Sequence, residues 1–552
     1  MKGSARRGFS PPPGQTPSVL PWSRRLAGLL ALALSVGCSR PAPSAAPATV
    51  RFDVAADPTT LNPLFAHPDA DNVESQLARL VFLPFIDVDA RGRELPVLLE
   101  RIPSVANGDL SRDGTTIVYR LRAARWQDGV PVTAADVVWT IHAILDPHNP
   151  VRSRAGWDRI ASVVALDART VRVRLRAPWA PAVNTYFTYG AAQQFVLPAH
   201  LLARERDLAH AAFNAAPVGD GPFRLLSWRR GDRLEYAAVP GGGARAARLD
   251  VRVVTDPQTN YTLLTSGAID WNLIAPIQKA GLAGIRALRY RSVPLMLVAG
   301  IALNVRHAPL DDVRVRRAIA ASIDRATISR KLTFGNYRPV DTAQPLSSWG
   351  RDPRVRLPAF DPAAADALLD AAGWRRGPDG LRGRKGRRLE LTYVQFPEST
   401  TGVRVAQFVQ GELRARGIDV VIKSVSNAQL FLPAADHGTL ASGAFALAYV
   451  PWAMGLDPDD SFLLACGGSS NVMHWCDPQV DALETRALAV PDRAVRAQLY
   501  AQIERRVAAA VPIVYLFDPA YIFAYRAALR GFDPNAFSPT WNAAAWEPSD
   551  HR

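Results

Sequence analysis

Three side chains in the last fifth of the chain have the types that bind metals or form disulfides: Cys466, His474 and Cys476. Two cysteine sulfurs and an imidazole suit zinc, but a structural zinc site takes four ligands, and no fourth one stands at a familiar spacing. The other interpretation is a disulfide between Cys466 and Cys476, the usual state of a cysteine pair in an exported protein. We predict the disulfide, with no metal and no cofactor.

Familiar catalytic motifs are missing from the sequence. It has no G-x-S-x-G, H-E-x-x-H or P-loop, and no G-x-G-x-x-G at a strand–helix junction. Glycines 241–243 lack the Lys-Ser/Thr of a phosphate-binding loop and indicate an ordinary loop. The histidines are dispersed, so surface or core positions are expected for them: His67, His142, His200, His210, His307, His437 and His474. The sequence therefore predicts no catalytic site, and we do not expect an enzyme.

The amino-terminal segment has the pattern of a secretory signal peptide. Five basic residues and no acidic one precede or flank an apolar run, Leu26–Val36, that is far shorter than the ~20 residues of a membrane-spanning helix. No later segment has 18 or more consecutive apolar residues. We predict that residues 1–37 are the signal and that the rest is exported.

Residues 34–38, L-S-V-G-C, resemble a bacterial lipobox, in which the cysteine is diacylated and becomes the first mature residue. Ser35 departs from the preferred leucine, and cleavage at another peptidase site with an unmodified Cys38 is the alternative. Residues 38–50 include a Pro/Ala/Ser-rich stretch, which predicts an extended tether between lipid and domain. Ser39, in place of an aspartate, favours outer-membrane sorting where two membranes exist.

Composition and charge are those of a large soluble globular chain. It has 552 residues, 48% of them hydrophobic, which is enough for more than one domain. The formal charge is +15, of which the signal segment carries +5, and the remaining excess is mostly scattered arginine. Because the chain is predicted to be exported and shows no basic, aromatic-interleaved patch, we expect no nucleic acid partner.

Strand and helix patterns alternate along the mature chain. Helix starts are predicted where a capping side chain precedes a helical pattern, as at Thr133-x-x-Asp136 and at Asp361-Pro362. The predicted strands, marked by apolar runs or by alternation, cover residues 116–121, 171–175, 297–304, 389–394, 418–425 and 511–517. This order predicts an α/β fold with crossover connections, whose ligand sites lie in clefts outside strand ends or between domains.

Several segments, in consistent order, resemble the family 5 extracellular solute-binding proteins, which serve importers of dipeptides, oligopeptides, nickel and related solutes. The matching segments are D-P-T-T-L-N-P at 57–63, Y-R-L-R at 119–122, W-Q-D-G-V-P-V-T-A-A-D-V at 126–137, P-V-G-D-G-P-F at 217–223, P-L-D-D-V-R-V-R-R-A-I at 309–319, F-D-P at 360–362 with L-L-D-A-A-G-W at 368–374, and D-P-Q-V-D-A-L at 477–483. Most of these segments are turns and helix starts, so they identify the fold and do not bind the ligand.

The resemblance implies a two-lobed, periplasmic-binding-protein-like clamshell of type II, in its large three-domain form, with the ligand in the interlobe cleft. The implied division is lobe I in residues 51–85, an extra subdomain in 86–185, lobe I again in 186–300, lobe II in 301–505, and a return to lobe I in 506–552. Ligand binding would shift a hinged open–closed equilibrium, and the closed form would dock on a permease.

The resemblance also places ligand contacts in four segments and at one nearby tryptophan. They follow the amino-terminal motif, follow G-A-I-D at 267–270, precede Asn304, and occupy W-A-M-G-L-D-P at 452–458. The implied contact residues are His67, Pro68, Trp271, Asn272, Leu295, Met296, Trp452, Ala453, Met454, Gly455, Asp457 and Trp475. Core positions are the alternative for Trp452 and Trp475.

The fourth segment departs from the family pattern where peptide binders place an aspartate that pairs with the ligand's α-ammonium group. Met454 or Gly455 stands there, and the segment is one residue shorter. Neighbouring carboxylates at Asp457, Asp459 and Asp460 either replace that partner or cap and solvate the loop. Di- to oligopeptides are therefore the first expectation for the ligand, and blocked peptides, sugars, opine-like solutes and metal chelates are the others.

We expect a monomer whose partners are a small solute, the permease subunits of an ABC importer and the membrane through the lipid anchor. Two other classes remain open on the same fold. One is an envelope enzyme, which requires a nucleophile–base pair in the cleft. The other is a signalling receptor or periplasmic chaperone.

Overall fold

The computed structural model of the chain describes residues 48–66, 73–189, 193–282 and 284–548. The predicted signal, Cys38 and most of the predicted tether lie outside the described residues, as do the predicted contact residues His67 and Pro68. Within the described ranges, no helix combines the length and the apolar character needed to cross a membrane.

Strands and helices alternate along the chain as the sequence predicts. The strands are β1 (Thr49–Val54), β2 (Ile86–Val88), β3 (Glu94–Pro96), β4 (Thr116–Arg120), β5 (Ile160–Ala165), β6 (Thr170–Leu175), β7 (Phe223–Arg229), β8 (Arg233–Ala238), β9 (Arg248–Val253), β10 (Trp271–Ile274), β11 (Leu288–Pro294), β12 (Leu297–Leu303), β13 (Arg338–Pro339), β14 (Arg375–Arg376), β15 (Arg382–Arg384), β16 (Arg387–Arg388), β17 (Glu390–Gln395), β18 (Asp419–Ser424), β19 (Leu447–Ala453), β20 (Ile513–Asp518) and β21 (Ala520–Arg526). The α-helices are α1 (Val73–Val81), α2 (Ala134–Leu145), α3 (Ala199–Leu202), α4 (Pro257–Ser266), α5 (Val313–Ser322), α6 (Arg325–Thr327), α7 (Pro362–Ala371), α8 (Thr400–Ala415), α9 (Asn427–Phe431), α10 (Ser461–Leu464), α11 (Pro478–Ala489) and α12 (Arg493–Ala510).

The helices begin where the sequence supplies a cap. Asp361 accepts a hydrogen bond from the Ala364 amide, and Pro362 occupies the first turn of α7, where its missing N–H costs nothing. At the start of α2, Thr133 and Asp136 form the predicted reciprocal capping box. Local chemistry therefore decides these helix starts.

Lobe I is built on a seven-stranded sheet in the order β11-β21-β10-β1-β9-β8-β7. Its central strand β1 runs parallel to both β9 and β10, and β21 runs antiparallel to β10 and β11. One face packs on the largest hydrophobic core, which includes Phe52 and Trp271, while α4 covers part of the other face through Leu264.

Lobe II is built on a six-stranded sheet in the order β13-β20-β12-β19-β17-β18, with its own hydrophobic core. The extra subdomain holds the three-stranded sheet β4-β6-β5 and helix α2, and its apolar residues join the core of lobe I. The α/β clamshell fold is thus confirmed as two sheets with separate cores.

The chain crosses between the lobes at two places, and both differ from the predicted boundaries. β11 belongs to lobe I and β12 to lobe II, so the first crossing is at residues 295–296 rather than after 300. β20 belongs to lobe II and β21 to lobe I, so the second is at Pro519 rather than after 505. Both lobe II strands are apolar and buried on two faces, and such a strand carries no sequence signal of the sheet it joins.

Cys466 and Cys476 form a disulfide, as predicted, across the loop between α10 and α11. Both sulfurs are therefore committed to the disulfide and are not thiolate ligands for a metal with His474. The disulfide ties together the segment that follows the W-A-M-G-L-D-P sequence at 452–458.

Candidate ligand-binding cleft

The two crossings lie side by side and fix the position of a hinge. The Leu295 amide donates a hydrogen bond to the Pro519 carbonyl at 2.9 Å, joining one crossing to the other. The Met454 amide donates to the Met296 carbonyl at 2.7 Å, which attaches the predicted fourth segment to the first crossing. The structure thus places Leu295, Met296 and Met454 together at the hinge.

The carboxyl ends of the parallel strands of lobe I meet at the edge next to these crossings. β1, β9 and β10 end there, and β21 starts there because it runs antiparallel to β10, with Ile274 opposite Ile522. Ligands of open α/β sheets bind outside the carboxyl ends of the strands. Sheet topology and the position of the crossings therefore indicate the same sheet edge as the place for a ligand.

A cavity of about 210 Å³ lies at this edge, and we call it the edge cavity. It is formed by β1, β10, the start of α4 and the first residues of β21. Its polar and aromatic lining is Asp53, Gln76, Thr255, Asn260, Trp271, Asn272, Gln278, Tyr521 and Phe523. Trp271 and Asn272, predicted as contacts, thus line it, while Asp53 and Asn260 were not identified from the sequence.

Trp271 has one side in the hydrophobic core. Its ring stacks on Phe52 with centroids 4.8 Å apart and on Phe532 at 5.1 Å, and it meets the Trp546 ring edge-on at 5.7 Å. These contacts fix the ring in one orientation. The indole is therefore a rigid part of the cavity wall.

Four residues of this lining each have one buried polar atom that no described residue hydrogen-bonds. The atoms are Asp53 Oδ1, Asn260 Oδ1, Trp271 Nε1 and Asn272 Nδ2. Burial raises the pKa of the Asp53 carboxyl to about 7, with only its own backbone acting in the opposite direction. Buried polar groups in folded proteins nearly always have partners, so such a concentration at one cavity indicates a place for a ligand or water.

The carboxylates of the fourth segment are already engaged within lobe II. Arg496 binds Asp457 through both terminal nitrogens, at 2.5 and 2.6 Å. Asp459 accepts the hydroxyl of Ser461, and Asp460 accepts the side-chain amide of Gln344. A ligand ammonium group at Asp457 would therefore have to share a carboxylate that has a bidentate partner.

The remaining predicted contacts are divided between core and surface. Trp452 and Trp475 are buried in the core of lobe II, at 4% and 8% exposure. Ala453 and Gly455 are exposed on either side of the buried Met454. For the two tryptophans the structure thus favours the core alternative that the sequence left open.

The lobes also touch away from the hinge. Leu456 and Leu488 of lobe II pack against the core of lobe I and its extra subdomain. On another side, the Lys279 ammonium donates to Asn336 Oδ1 at 2.9 Å, and the same ammonium lies 4.5 Å from the ring centre of Tyr290. The leucine contacts and the Lys279–Asn336 hydrogen bond therefore join the two lobes outside the crossings.

A larger cavity, of about 690 Å³, lies between lobe I and the extra subdomain. Arg79, Trp126, Asp220 and Trp541 are part of its lining. Its lining includes residues 221–222 and 239–242, which adjoin the start of β7 and the end of β8, so it lies at the sheet edge opposite the carboxyl ends of β1, β9 and β10. We therefore take the edge cavity as the candidate ligand site, because it lies at the strand ends next to both interlobe crossings.

Known proteins are similar to this chain over most of its length. Residues 100–474 match the family described as bacterial extracellular solute-binding proteins, family 5 middle. Protein XP55 of Streptomyces lividans is 28% identical over 517 residues, which cover 90% of this chain and 87% of that protein. Di/tripeptide-binding protein 2 of Pseudomonas aeruginosa is 27% identical over 466 residues, covering 78% of this chain and 84% of that one.

Solved structures share the fold at lower identity. The crystal structure of NikA from Brucella suis in complex with Fe(III)-EDTA superposes with a TM-score of 0.78 at 21% identity, covering 91% of this chain and 99% of that one. The likeness thus extends over both lobes and the extra subdomain.

Proposed function

Since the chain belongs to the bacterial extracellular solute-binding proteins of family 5, we propose that it is the extracytoplasmic binding subunit of an ABC importer. In this proposal it captures a peptide, or a related small solute, in the cleft beside the hinge and delivers it to a membrane permease. The observation that carries the proposal is the edge cavity: a polar, partly unsatisfied site at the strand ends next to both interlobe crossings.

A peptide is the favoured ligand, and the relatives' names support that choice. The Pseudomonas aeruginosa relative is a di/tripeptide-binding protein. The Brucella suis structure holds a metal chelate, however, so a non-peptide solute is the second candidate. The Arg496–Asp457 pair supports this second candidate, because it occupies the carboxylate that the fourth segment offers to an α-amine.

Hinge closure provides the capture step. Within the described residues, two short crossings connect the lobes, and small backbone changes at residues 295–296 and 519 would change the interlobe angle. A solute that contacts both lobes binds the closed form better and shifts the equilibrium toward it. The permease would then receive the closed, loaded form.

Binding without chemical change is part of the proposal. Family members are solute-binding proteins, and in the described residues the edge cavity lining contains no nucleophile–base pair of the Ser–His or Cys–His kind. Recovery of the solute unchanged after long incubation would agree with this proposal. Formation of more moles of product than moles of protein would show instead that the protein is an enzyme.

Attachment to the membrane through Cys38 belongs to the same proposal. The lipobox-like sequence at 34–38 supports it. Labelling with a radioactive fatty acid in the producing bacterium should mark the wild-type protein and leave Cys38→Ser unlabelled. Equal extraction of both forms without detergent would instead favour cleavage at another site and an unanchored protein.

A thermal-shift screen of the purified full-length chain tests the ligand class. The panel comprises alanine peptides of two to five residues, the same peptides N-acetylated, and neutral sugars and Fe(III)-EDTA. A solute at 100 times its Kd stabilises the folded state by about 2.7 kcal/mol, which is a measurable rise in Tm. Peptides should give that rise in Tm. A rise with the chelate or a sugar alone would mean that the ligand is not a peptide. No rise with any solute class would contradict the binding role.

A further inference from the structure

Three polar side chains of the edge cavity meet on one face of the lobe I sheet. Phe52 of β1 lies opposite Trp271 of the parallel strand β10, so Asp53 and Asn272 are lateral neighbours on the other face. Asn272 lies opposite Ala524, and Ala524 is in the small core that α4 covers. Asn260, on the first turn of α4, thus lies above the face that carries Asp53 and Asn272.

Two acceptors and one donor of these three side chains have no hydrogen-bond partner among the described residues. Asn260 donates through Nδ2 to the Val254 carbonyl at 3.2 Å, so its free end is the acceptor Oδ1. Asp53 Oδ1 is the second acceptor and Asn272 Nδ2 the donor. The complementary ligand group has several N–H donors, carries a positive charge for the carboxylate, and has an acceptor nearby.

We propose that Asp53, with Asn260 and Asn272 beside it, binds the cationic group of the solute, an ammonium or guanidinium, in the edge cavity. Asp53 would then supply the carboxylate that the fourth segment lacks. This inference rests on the proposed binding function and adds the residue and the charge class of the ligand.

The charges around Asp53 allow this role. Arg252 lies opposite Asp53 in the β1–β9 pair, and Arg51 and Asp250 share that face two residues back. The Arg252 guanidinium lies 4.0 Å from Asp250, and no described residue forms an ion pair with Asp53. On the β10 side, Asp270 accepts a hydrogen bond from the Arg51 amide. Asp53 is therefore an unpaired carboxyl that is only 8% exposed.

The protonation state of Asp53 gives the interaction a pH signature. Because its pKa is about 7, a large fraction of the Asp53 carboxyl is neutral in slightly acidic solution. A cation binds the ionised carboxylate, so protonation competes with binding. Affinity for a cationic solute should therefore fall several-fold from pH 7.5 to pH 6. A solute without a positive charge should show no such dependence at this site.

Calorimetric titration of the full-length protein and of Asp53→Asn tests the inference with three probes: trialanine, N-acetyltrialanine and free arginine. We expect at least tenfold weaker binding of the cationic probes to Asp53→Asn and less than a twofold change for the acetylated peptide. Glu205→Gln is the control, because it removes an exposed carboxylate of lobe I that does not line the cavity, and it should bind as the wild type does.

Folding of the variant is verified by its melting temperature. Asp53→Asn replaces a buried carboxyl by an amide of the same shape, so its Tm at pH 8 should equal or exceed that of the wild type. Loss of amine preference in Asp457→Asn but not in Asp53→Asn would overturn the inference, as would equal binding of free and acetylated peptide. If no cationic probe binds, the inference is overturned as well, and this result is expected if the cavity holds only water. The proposed function would still stand in that case if neutral solutes bind.

Discussion

Asp457 and Arg496 form the closest charge pair near the fourth segment, and their burial makes the pair structural. Their side chains are 11% and 5% exposed. Arg496 also lies over the Trp349 ring, 5.3 Å from its centre, and donates to the Tyr500 hydroxyl at 3.2 Å. The carboxylate therefore compensates a guanidinium that has little contact with water.

Replacing Asp457 by asparagine should destabilise the protein strongly. Removing one partner of a buried pair leaves an uncompensated charge and costs about 3–5 kcal/mol. Urea unfolding should show this loss, and Asp457→Asn/Arg496→Gln should recover part of it. A variant that keeps its stability but no longer binds solute would show instead that Asp457 contacts the ligand.

Buried carboxyl groups also predict how stability depends on pH. Burial raises the pKa of Asp53 and of Asp518 to about 7 and that of Glu504 to about 8. Between their unfolded pKa, near 4, and these values the folded state binds more protons than the unfolded state, so raising the pH destabilises it. The stability contribution is complete below pH 4 and is lost as the pH rises through 7 to 8.

The Tm of the unliganded protein should therefore be higher at pH 5.5 than at pH 8. Each group contributes at most about 1.4 kcal/mol per pH unit within its window. Asp53→Asn should flatten the slope, whereas the Glu205→Gln control should keep it. A Tm that is constant or rises across this range would contradict the assignment of these groups as protonated in the folded state.

At the scale of single elements, glycines show where backbone approach is tight. The P-V-G-D-G-P-F segment passes so close to α1 that a Cβ added at Gly219 would overlap the carbonyl oxygen of Val81. Gly411, exposed in the interior of α8, has open space around its Cα. Packing therefore requires a glycine at Gly219 but not at Gly411.

The same substitution at these two glycines should have opposite effects. Gly219→Ala forces a backbone shift and should cost several kcal/mol, since overpacking of a tight contact typically costs 1–3 kcal/mol and backbone atoms adapt less than side chains. Gly411→Ala should stabilise the protein by about 0.5–1 kcal/mol, because alanine favours the helix. Chemical denaturation measures both, and a stabilising Gly219→Ala would show that this loop is not held against α1.

Elements governed by local chemistry could be predicted from the sequence. The helix after Asp361-Pro362 begins at Pro362, and the alternating V-R-V-R-L segment is part of β6. Sheet membership could not be predicted for β12 and β20, because pairing partners lie far away along the chain. Asp53 was missed because V-R-F-D-V alternates like a half-exposed strand, whereas α4 and the edge cavity cover its polar face.

At the scale of the whole molecule, closure depends on a few contacts between lobes. The Lys279–Asn336 hydrogen bond joins the segment before β11 to the segment before β13. Since it exists only when the lobes are close, it stabilises the closed form relative to the open form. A typical hydrogen bond contributes about 0.5–1.5 kcal/mol net.

Asn336→Ala should therefore weaken solute binding by about 2- to 10-fold, with faster dissociation. Because the Asn336 amide also donates to the Thr333 carbonyl at 2.9 Å, the variant should lose some folding stability as well. Stopped-flow release of a fluorescent peptide measures the rate. Lys331→Ala removes an exposed lysine of lobe II and is the control, which should release the peptide at the wild-type rate. An unchanged rate in Asn336→Ala would mean that this contact does not contribute to closure.

Native mass spectrometry of the full-length protein, purified without denaturation, tests whether the molecule holds a small solute reversibly in the cleft beside its hinge. We expect a non-covalent adduct of peptide size that is released intact on gentle activation and is lost in Asp53→Asn. A protein that carries no adduct and gains none from peptides, sugars or chelates would contradict this function.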